Sequence, residues 1–597
     1  MKSFFSIVGN RHLNRDTFTP VQKKFENDAS LLFYERANVA YGVISSAESD
    51  DSPDRFVCFD GYIANRDYLA SRYSLVVPDD FSLFVSLFNK LGLSLLDEID
   101  GAFCFAVINK NNGEVTLARD RAGIKPLYWG FVNQSLVFSS RLRYIIAYPA
   151  FEKKIDLLTL GVYLKHGYYH YPATVFENLY KLPPATCIRI REGRIRQTNY
   201  WDVAGNFFEG QKNLIKDYPA ARDKLGKMLE SIVETNTKRN IKYGSFLSGG
   251  ADSSILAAIL QKQSSEKIET FTIGFADKKL NEAEDAKAIS AHIGANHNEL
   301  YITIDNLLNW IDDMPYLYDE PFGDSSQVPT SIAVKMAKQK VDCVFAGDGS
   351  DELFGGYEIL RNMAFLSSLQ RFIPPVNFLL KATGIYPYLK PKYKRTLSFA
   401  DELRKTQLIN PEEDAIIKKM TLAQPDEINF PIEKDFAIKD LARRRLLMLQ
   451  YTSLVGTVIK IEQPSAYHDM HVVFPFLSRQ MVEFSNQLPT AFLLSKRFTK
   501  IILKDLLADY VPRKWIDKPK QGFAIPALRW LKNEKMRGII DYYRNKEFII
   551  KQGIFNHQHL STLINEMLTG TVNVNFNAKE TLWRWLTFQI WYDKYMK

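Results

Sequence analysis

Two glycine-rich segments hold the side chains best suited to chemistry. The first is Phe246-Leu247-Ser248-Gly249-Gly250-Ala251-Asp252-Ser253-Ser254, which joins a short apolar run to a helix-forming one. Its two glycines let backbone N–H groups approach an anion. Its hydroxyls stand at the mouth of a helix, where unsatisfied donors and positive partial charge gather. This is a phosphate cradle. It is not a Walker loop, because the Lys-Ser/Thr ending is missing. Asp252 adds a carboxylate where a phosphate-bound Mg²⁺ would sit. The second segment, Phe345-Ala346-Gly347-Asp348-Gly349-Ser350-Asp351-Glu352-Leu353-Phe354-Gly355-Gly356-Tyr357, also follows a strand-forming run. Taken alone it is also compatible with a glycine-rich turn capped by acids. Beside the first loop it reads as the opposite wall of a nucleotide site, with one of its carboxylates sharing the metal with Asp252.

Short strands and helices must present these loops. Tyr243–Leu247, Glu269–Ile273, Asn298–Ile302 and Asp342–Ala346 read as strands. Ser253–Gln263 and Pro329–Gln339 read as helices, and a third runs from an Asn281 cap to a stop at Gly294. Strand and helix in alternation predict a parallel α/β sheet. The first 200 residues are instead β-rich. Arg55–Phe59, Phe103–Ile108, Val115–Ala118 and Ser135–Ser139 are separated by the turn signals Asp60-Gly61, Asn111-Asn112-Gly113 and Asn133-Gln134. Cys187–Arg191 and Arg194–Asn199 form one more hairpin around Glu192-Gly193. Beyond Glu358 the pattern is mostly helical, with a basic, proline-containing stretch at 374–396 expected as an exposed connection.

Composition narrows the function classes. The 597 residues are 46% hydrophobic and 24% charged, ordinary values for a folded protein with several domains. No apolar run reaches the roughly 18 residues of a membrane helix, and no secretory signal pattern opens the chain, so a cytoplasmic enzyme is expected. The net charge of +9 is diffuse, and its densest patch, Lys390–Arg395, is too short to predict nucleic-acid binding. Cys58, Cys104, Cys187 and Cys343 lie far apart, which predicts buried reduced thiols rather than zinc ligands or disulfides.

The first loop resembles the pyrophosphate-binding loop of ATP pyrophosphatases, and both loops together resemble the synthetase domain of asparagine synthetases. Tyr318-Asp319-Glu320-Pro321-Phe322-Gly323-Asp324-Ser325-Ser326, Phe474-Pro475-Phe476-Leu477, Lys518–Phe523 and the terminal Leu582-Trp583-Arg584-Trp585 agree with that family. Asp100–Phe105 and Leu117–Tyr128 are similar to its glutaminase domain. The resemblance implies an Ntn-hydrolase-like αββα sandwich over residues 1–210. It implies an adenine-nucleotide alpha-hydrolase-like (PP-loop) parallel-sheet domain with a helical C-terminal part over 211–597. It further implies ATP and Mg²⁺ as cofactors. Asp252 and Asp351 would hold the metal, and Ser248, Gly249, Gly250, Asp252 and Ser253 the pyrophosphate. Leu247 and Ile273 would meet adenine through their backbones, and Gly347 would line the nucleotide. Lys500 would stabilise the leaving pyrophosphate, and Asp348 would deprotonate the attacking amine.

The departures are as informative. Glutaminases of this family begin Met-Cys-Gly-Ile, with the cysteine as nucleophile and its own α-amine as base. Here Phe5 stands at the cysteine position, the usual Asn-Gly-Glu segment reads Asp60-Gly61-Tyr62, and no Arg-Gly-Pro-Asp segment is present. The expected activity is therefore ATP-dependent amide formation without glutamine hydrolysis. Relatives with that lesion include lasso-peptide macrolactam synthetases and β-lactam and carbapenam synthetases, whose substrates carry their own amine. The β-lactam type has Tyr where this chain has Asp348, and most asparagine synthetases have Asp where it has Ser478. The reading is closure of a macrolactam in a lasso-type precursor peptide, with the peptide and its leader protease as partners. The alternatives are ammonia joined to aspartate or a sugar acid, and a non-catalytic scaffold.

Overall fold

The structure is a computed structural model. It describes residues 3–9, 15–23, 30–36, 39–239, 241–275, 281–369, 379–380, 382–385, 411–423, 438–517, 530–569 and 576–597. The basic patch Lys390–Arg395, most of the stretch 374–396 and the segment Lys518–Phe523 lie outside these residues.

The N-terminal part is built from two six-stranded antiparallel sheets. One sheet runs Leu179–Lys181, Tyr128–Val132, Ser135–Ser139, Phe4–Gly9, Val39–Ser45, Ser30–Arg36 in spatial order. The other runs Arg194–Asn199, Thr186–Arg191, Val115–Arg119, Gly101–Asn109, Arg55–Ile63, Glu48–Asp51. Alternation along each strand sends one set of apolar side chains between the sheets: Phe4, Val8 and Phe138 meet Cys58, Ala106 and Leu117 there. The other set faces helices. Phe59, Phe103 and Phe105 pack on the helix Asp80–Leu91, while Phe5, Ile7 and Val137 share a core with Leu160 and Tyr163 of the helix Leu157–His166. The layers are α, β, β, α, as expected for an Ntn-hydrolase-like domain.

One turn signal is corrected. Asp60-Gly61 lies inside the strand Arg55–Ile63, not at its end. A Cβ on Gly61, at φ +139°, would stand 2.0 Å from the Ala102 carbonyl oxygen, so this glycine serves a close backbone approach. The Asn111–Gly113 and Asn133–Gln134 turns and the last hairpin are as expected. The four cysteines are buried and unpaired, and burial pushes the Cys187 thiol up to about 11 and that of Cys343 to about 12.

The second part centres on a five-stranded parallel sheet in the order Asn296–Ile302, Glu269–Phe275, Tyr243–Phe246, Cys343–Phe345, His471–Val473. From Tyr243–Phe246 the chain first builds outward through the next two strands, then returns to its other side with Cys343–Phe345. The carboxyl ends of these two adjacent strands therefore flank a topological switch point, where open α/β sheets bind ligands. The helix after the first strand, Ala251–Gln263, buries every residue from Ser253 to Leu260, being covered by the sheet on one side and neighbouring helices on the other. No helix among the described residues is long and apolar enough to cross a membrane.

Candidate active site

Both glycine-rich loops leave the sheet at that switch point and wall a cavity of about 670 Å³. The structure brings all the residues singled out from the sequence to its lining: Leu247, Ser248, Gly249, Gly250, Asp252, Ser253, Ile273, Gly347, Asp348, Asp351 and Lys500.

The phosphate cradle is held by its own hydroxyls. The Ser248 N–H donates to Ser253 Oγ at 3.1 Å, and the Gly250 N–H donates to Ser248 Oγ at 3.3 Å. The helix Ala251–Gln263 has Gly250 at its N-cap and no capping side chain. Its dipole and its first N–H groups thus face the cavity without a side-chain acceptor, the arrangement that takes an anion. Leu247 is more committed than the sequence suggested. Its N–H donates to the Phe271 carbonyl at 2.9 Å, and its carbonyl accepts the Thr272 hydroxyl.

Asp252 and Asp351 come from opposite loops and converge on one ammonium, that of Lys500. The Ser350 hydroxyl also donates to Asp252. Burial alone would push the Lys500 ammonium down, but the two carboxylates outweigh it and hold this group above the usual lysine range. Lys500 sits at φ +52° ahead of the helix Ile501–Leu507, in the left-handed region, a strained backbone for a side-chain-bearing residue. Two facing carboxylates beside an anion cradle fit Mg²⁺, which is held by one or two carboxylates together with substrate phosphates. Among the described residues no group of three or more metal-ligating side chains is present.

Asp348 meets a residue that the sequence reading missed. Lys460 Nζ lies 3.2 Å from Asp348 Oδ1. Burial would again push Lys460 down, while Asp348 and then Asp324 outweigh it and raise it. Lys460 belongs to the helix Ser453–Tyr467, along with Thr457, whose hydroxyl donates to Glu352 at 3.4 Å, and Ser453, 3.2 Å from the Tyr357 hydroxyl. The signal was present: polar residues at 453, 457 and 460 recur at helical spacing in an otherwise apolar run.

The asparagine synthase family matches residues 224–593, and the glutamine amidotransferase domain family matches 52–201. The chain belongs to the asparagine synthase family. Asparagine synthetase [glutamine-hydrolyzing] 1 of Bacillus subtilis is 24% identical over 559 residues, covering 89% of this chain and 84% of the relative. Asparagine synthetase B [glutamine-hydrolyzing] of Escherichia coli is 23% identical over 356 residues, covering 56% and 58%. Among solved structures, the allosteric regulatory enzyme of purine biosynthesis aligns at 11% identity and a TM-score of 0.26, over 50% of this chain and 80% of that one. The amidotransferase match begins beyond the strand Phe4–Gly9, in which Phe5 is fully buried and its ring lies 6.3 Å from those of Phe18 and Tyr148.

Proposed function

We propose that this protein is an ATP-dependent carbon–nitrogen ligase that adenylates a carboxylate and passes the acyl group to an amine, without hydrolysing glutamine. One observation carries the reading: Asp252, Asp351 and Lys500 meet at the phosphate cradle, with Asp348 on the wall of the same cavity. Membership of the asparagine synthase family supports the ligase activity.

The residues divide the work as follows. The cradle Ser248–Ser253 and the helix N-terminus bind the polyphosphate and orient the α-phosphorus toward the substrate carboxylate. A carboxylate oxygen attacks that phosphorus, the bond to the bridging oxygen breaks, and pyrophosphate departs. Lys500 donates hydrogen bonds to the departing oxygens, stabilising charge that grows in the transition state. Asp252 and Asp351 would hold Mg²⁺, which when bound neutralises polyphosphate charge. The amine nitrogen then attacks the acyl carbon, AMP departs, and Asp348 accepts the amine's proton, since an ammonium has no lone pair with which to attack.

The absence of a nucleophile at Phe5 favours an amine supplied by the substrate, and closure of a macrolactam in a lasso-type precursor peptide is the reading we adopt. In it a leader protease would act with this enzyme in the cytoplasm. A second reading, ammonia joined to aspartate or to a sugar acid, is favoured by the name of the Bacillus relative. The test is incubation with ATP, Mg²⁺ and either a precursor peptide or aspartate with ammonium. A peptide product lighter by one water and blocked to N-terminal sequencing supports the first. Asparagine with AMP and pyrophosphate would replace it with the second. Absence of MgATP binding would favour a scaffold.

A further inference from the structure

One set of buried charges outside the cavity links the two parts of the chain. Lys125 Nζ lies 3.3 Å from Asp60 Oδ1 and 3.2 Å from Glu462 Oε1. Arg141 Nη2 reaches the same Glu462 oxygen at 3.2 Å, and its Nη1 lies 3.8 Å from Asp319. Arg143 Nε holds Asp319 at 2.8 Å. Three acids and three bases thus alternate along one chain of contacts. Arg141 and Asp319 are each 1% exposed and Glu462 4%. Burial by itself would lower Lys125 and Arg141, but their acidic partners outweigh it and hold both above their usual ranges. Desolvating six charges makes such a network weak as a source of stability, and its better-attested use is to fix geometry.

What it fixes is the helix that serves the active site. Glu462 follows Lys460 by two residues on Ser453–Tyr467, and two helical steps turn the side chains about 200° apart. One face of this helix is gripped by Lys125 and Arg141, and the opposite face carries Lys460 to Asp348. Among the described residues, every side chain lining the cavity comes from Phe246 onward, so the N-terminal part supplies none of them.

We propose that Arg141 and Glu462 are positioning residues: through them the N-terminal part fixes the rotation of the helix Ser453–Tyr467 and sets Lys460 against Asp348 for acyl transfer. The inference rests on Asp348 as the proton acceptor of the ligase. Asp60, in the segment where glutaminases of the family carry Asn-Gly-Glu, then anchors a ligase helix through Lys125.

The full chain carrying Arg141→Met with Glu462→Met tests this, because Asp60–Lys125 and Asp319–Arg143 survive as complete pairs and no lone charge is buried. The measurement is the rate at which an acetyl N-hydroxysuccinimide ester labels Lys460, read by peptide mass spectrometry. Lys165, buried and 2.7 Å from Asp414, is the internal reference. The expected result is labelling of Lys460 faster by about tenfold with Lys165 unchanged, since only a local contact is released. Arg141→Lys, which keeps the charge, should label slowly like the parent. Unchanged labelling of Lys460 overturns the proposal. A rise shared by Lys165 also overturns it, by making the network a general structural tie. Failure of the parent protein to bind MgATP would strike the ligase reading instead, and is measured separately.

Discussion

At the scale of residues, the arrangement around Lys500 makes a directional demand on its two acids. Both Asp252 and Asp351 contact the ammonium. The same two carboxylates would hold Mg²⁺, and the ammonium would donate to the phosphates. Asp252→Asn and Asp351→Asn keep the side chain's size but remove its charge and one acceptor oxygen. Each should abolish Mg²⁺-dependent AMP formation while leaving the thermal transition in place, because metal charge stabilisation is worth several kcal/mol. Near-parental AMP formation by either variant would show that the metal is held elsewhere. Asp348→Asn addresses the other half-reaction. Pyrophosphate exchange should persist while amide product falls by about 10²–10⁴-fold, the usual contribution of a general base. Equal loss in both assays would assign Asp348 to the metal or to the loop.

At the scale of elements, the loop after Cys343–Phe345 depends on a backbone that side chains rarely adopt. Gly349 has φ +90°, and a Cβ there would stand 2.3 Å from Leu477 Cδ2. Gly349→Ala should cost about 1–3 kcal/mol in thermal unfolding and weaken MgATP binding, since the loop must shift to accept the methyl. An unchanged melting temperature would show that the loop has room to relax. Such loops were legible because their chemistry is contiguous in sequence: Ser248–Ser253 and Gly347–Asp351 each declare a site by composition, and the alternation of strand and helix around them declares a parallel sheet. The N-terminal sandwich was only half legible. Tyr128–Val132 and Leu179–Lys181 are short strands whose pairing is decided across the sheet, and Asp60-Gly61 carried turn chemistry into a strand interior, where tertiary contact prevails over local preference. Lys460 and Glu462 escaped notice because their partners are distant in sequence. Asp348 meets that helix only through the fold of the second part, and Arg141 and Lys125 only once both parts of the chain have folded.

At the scale of the whole molecule, a domain that the glutamine amidotransferase domain family matches over residues 52–201 sits beside a ligase cavity, and the two differ in what their sites retain. In the ligase part, the residues to which the resemblance gave a role in nucleotide, metal or amine chemistry all line one cavity. At the glutaminase position, the ladder pairs Phe5 with Ile44 and Ser139, its nitrogen is an internal peptide nitrogen, and its ring is buried against Phe18 and Tyr148. An N-terminal nucleophile needs a free α-amine to take its proton and an open face for the substrate amide. Replacing the side chain alone provides neither. Phe5→Cys should therefore release no glutamate from glutamine above the rate of heat-treated protein, even though it restores the sulfur. Its thiol, surrounded by apolar side chains, should also resist alkylation in the folded state and react only on unfolding, because burial disfavours the thiolate. Glutamate release by this variant would mean that a base other than the α-amine serves the site, and that the N-terminal part is one substitution away from the activity named for its relatives.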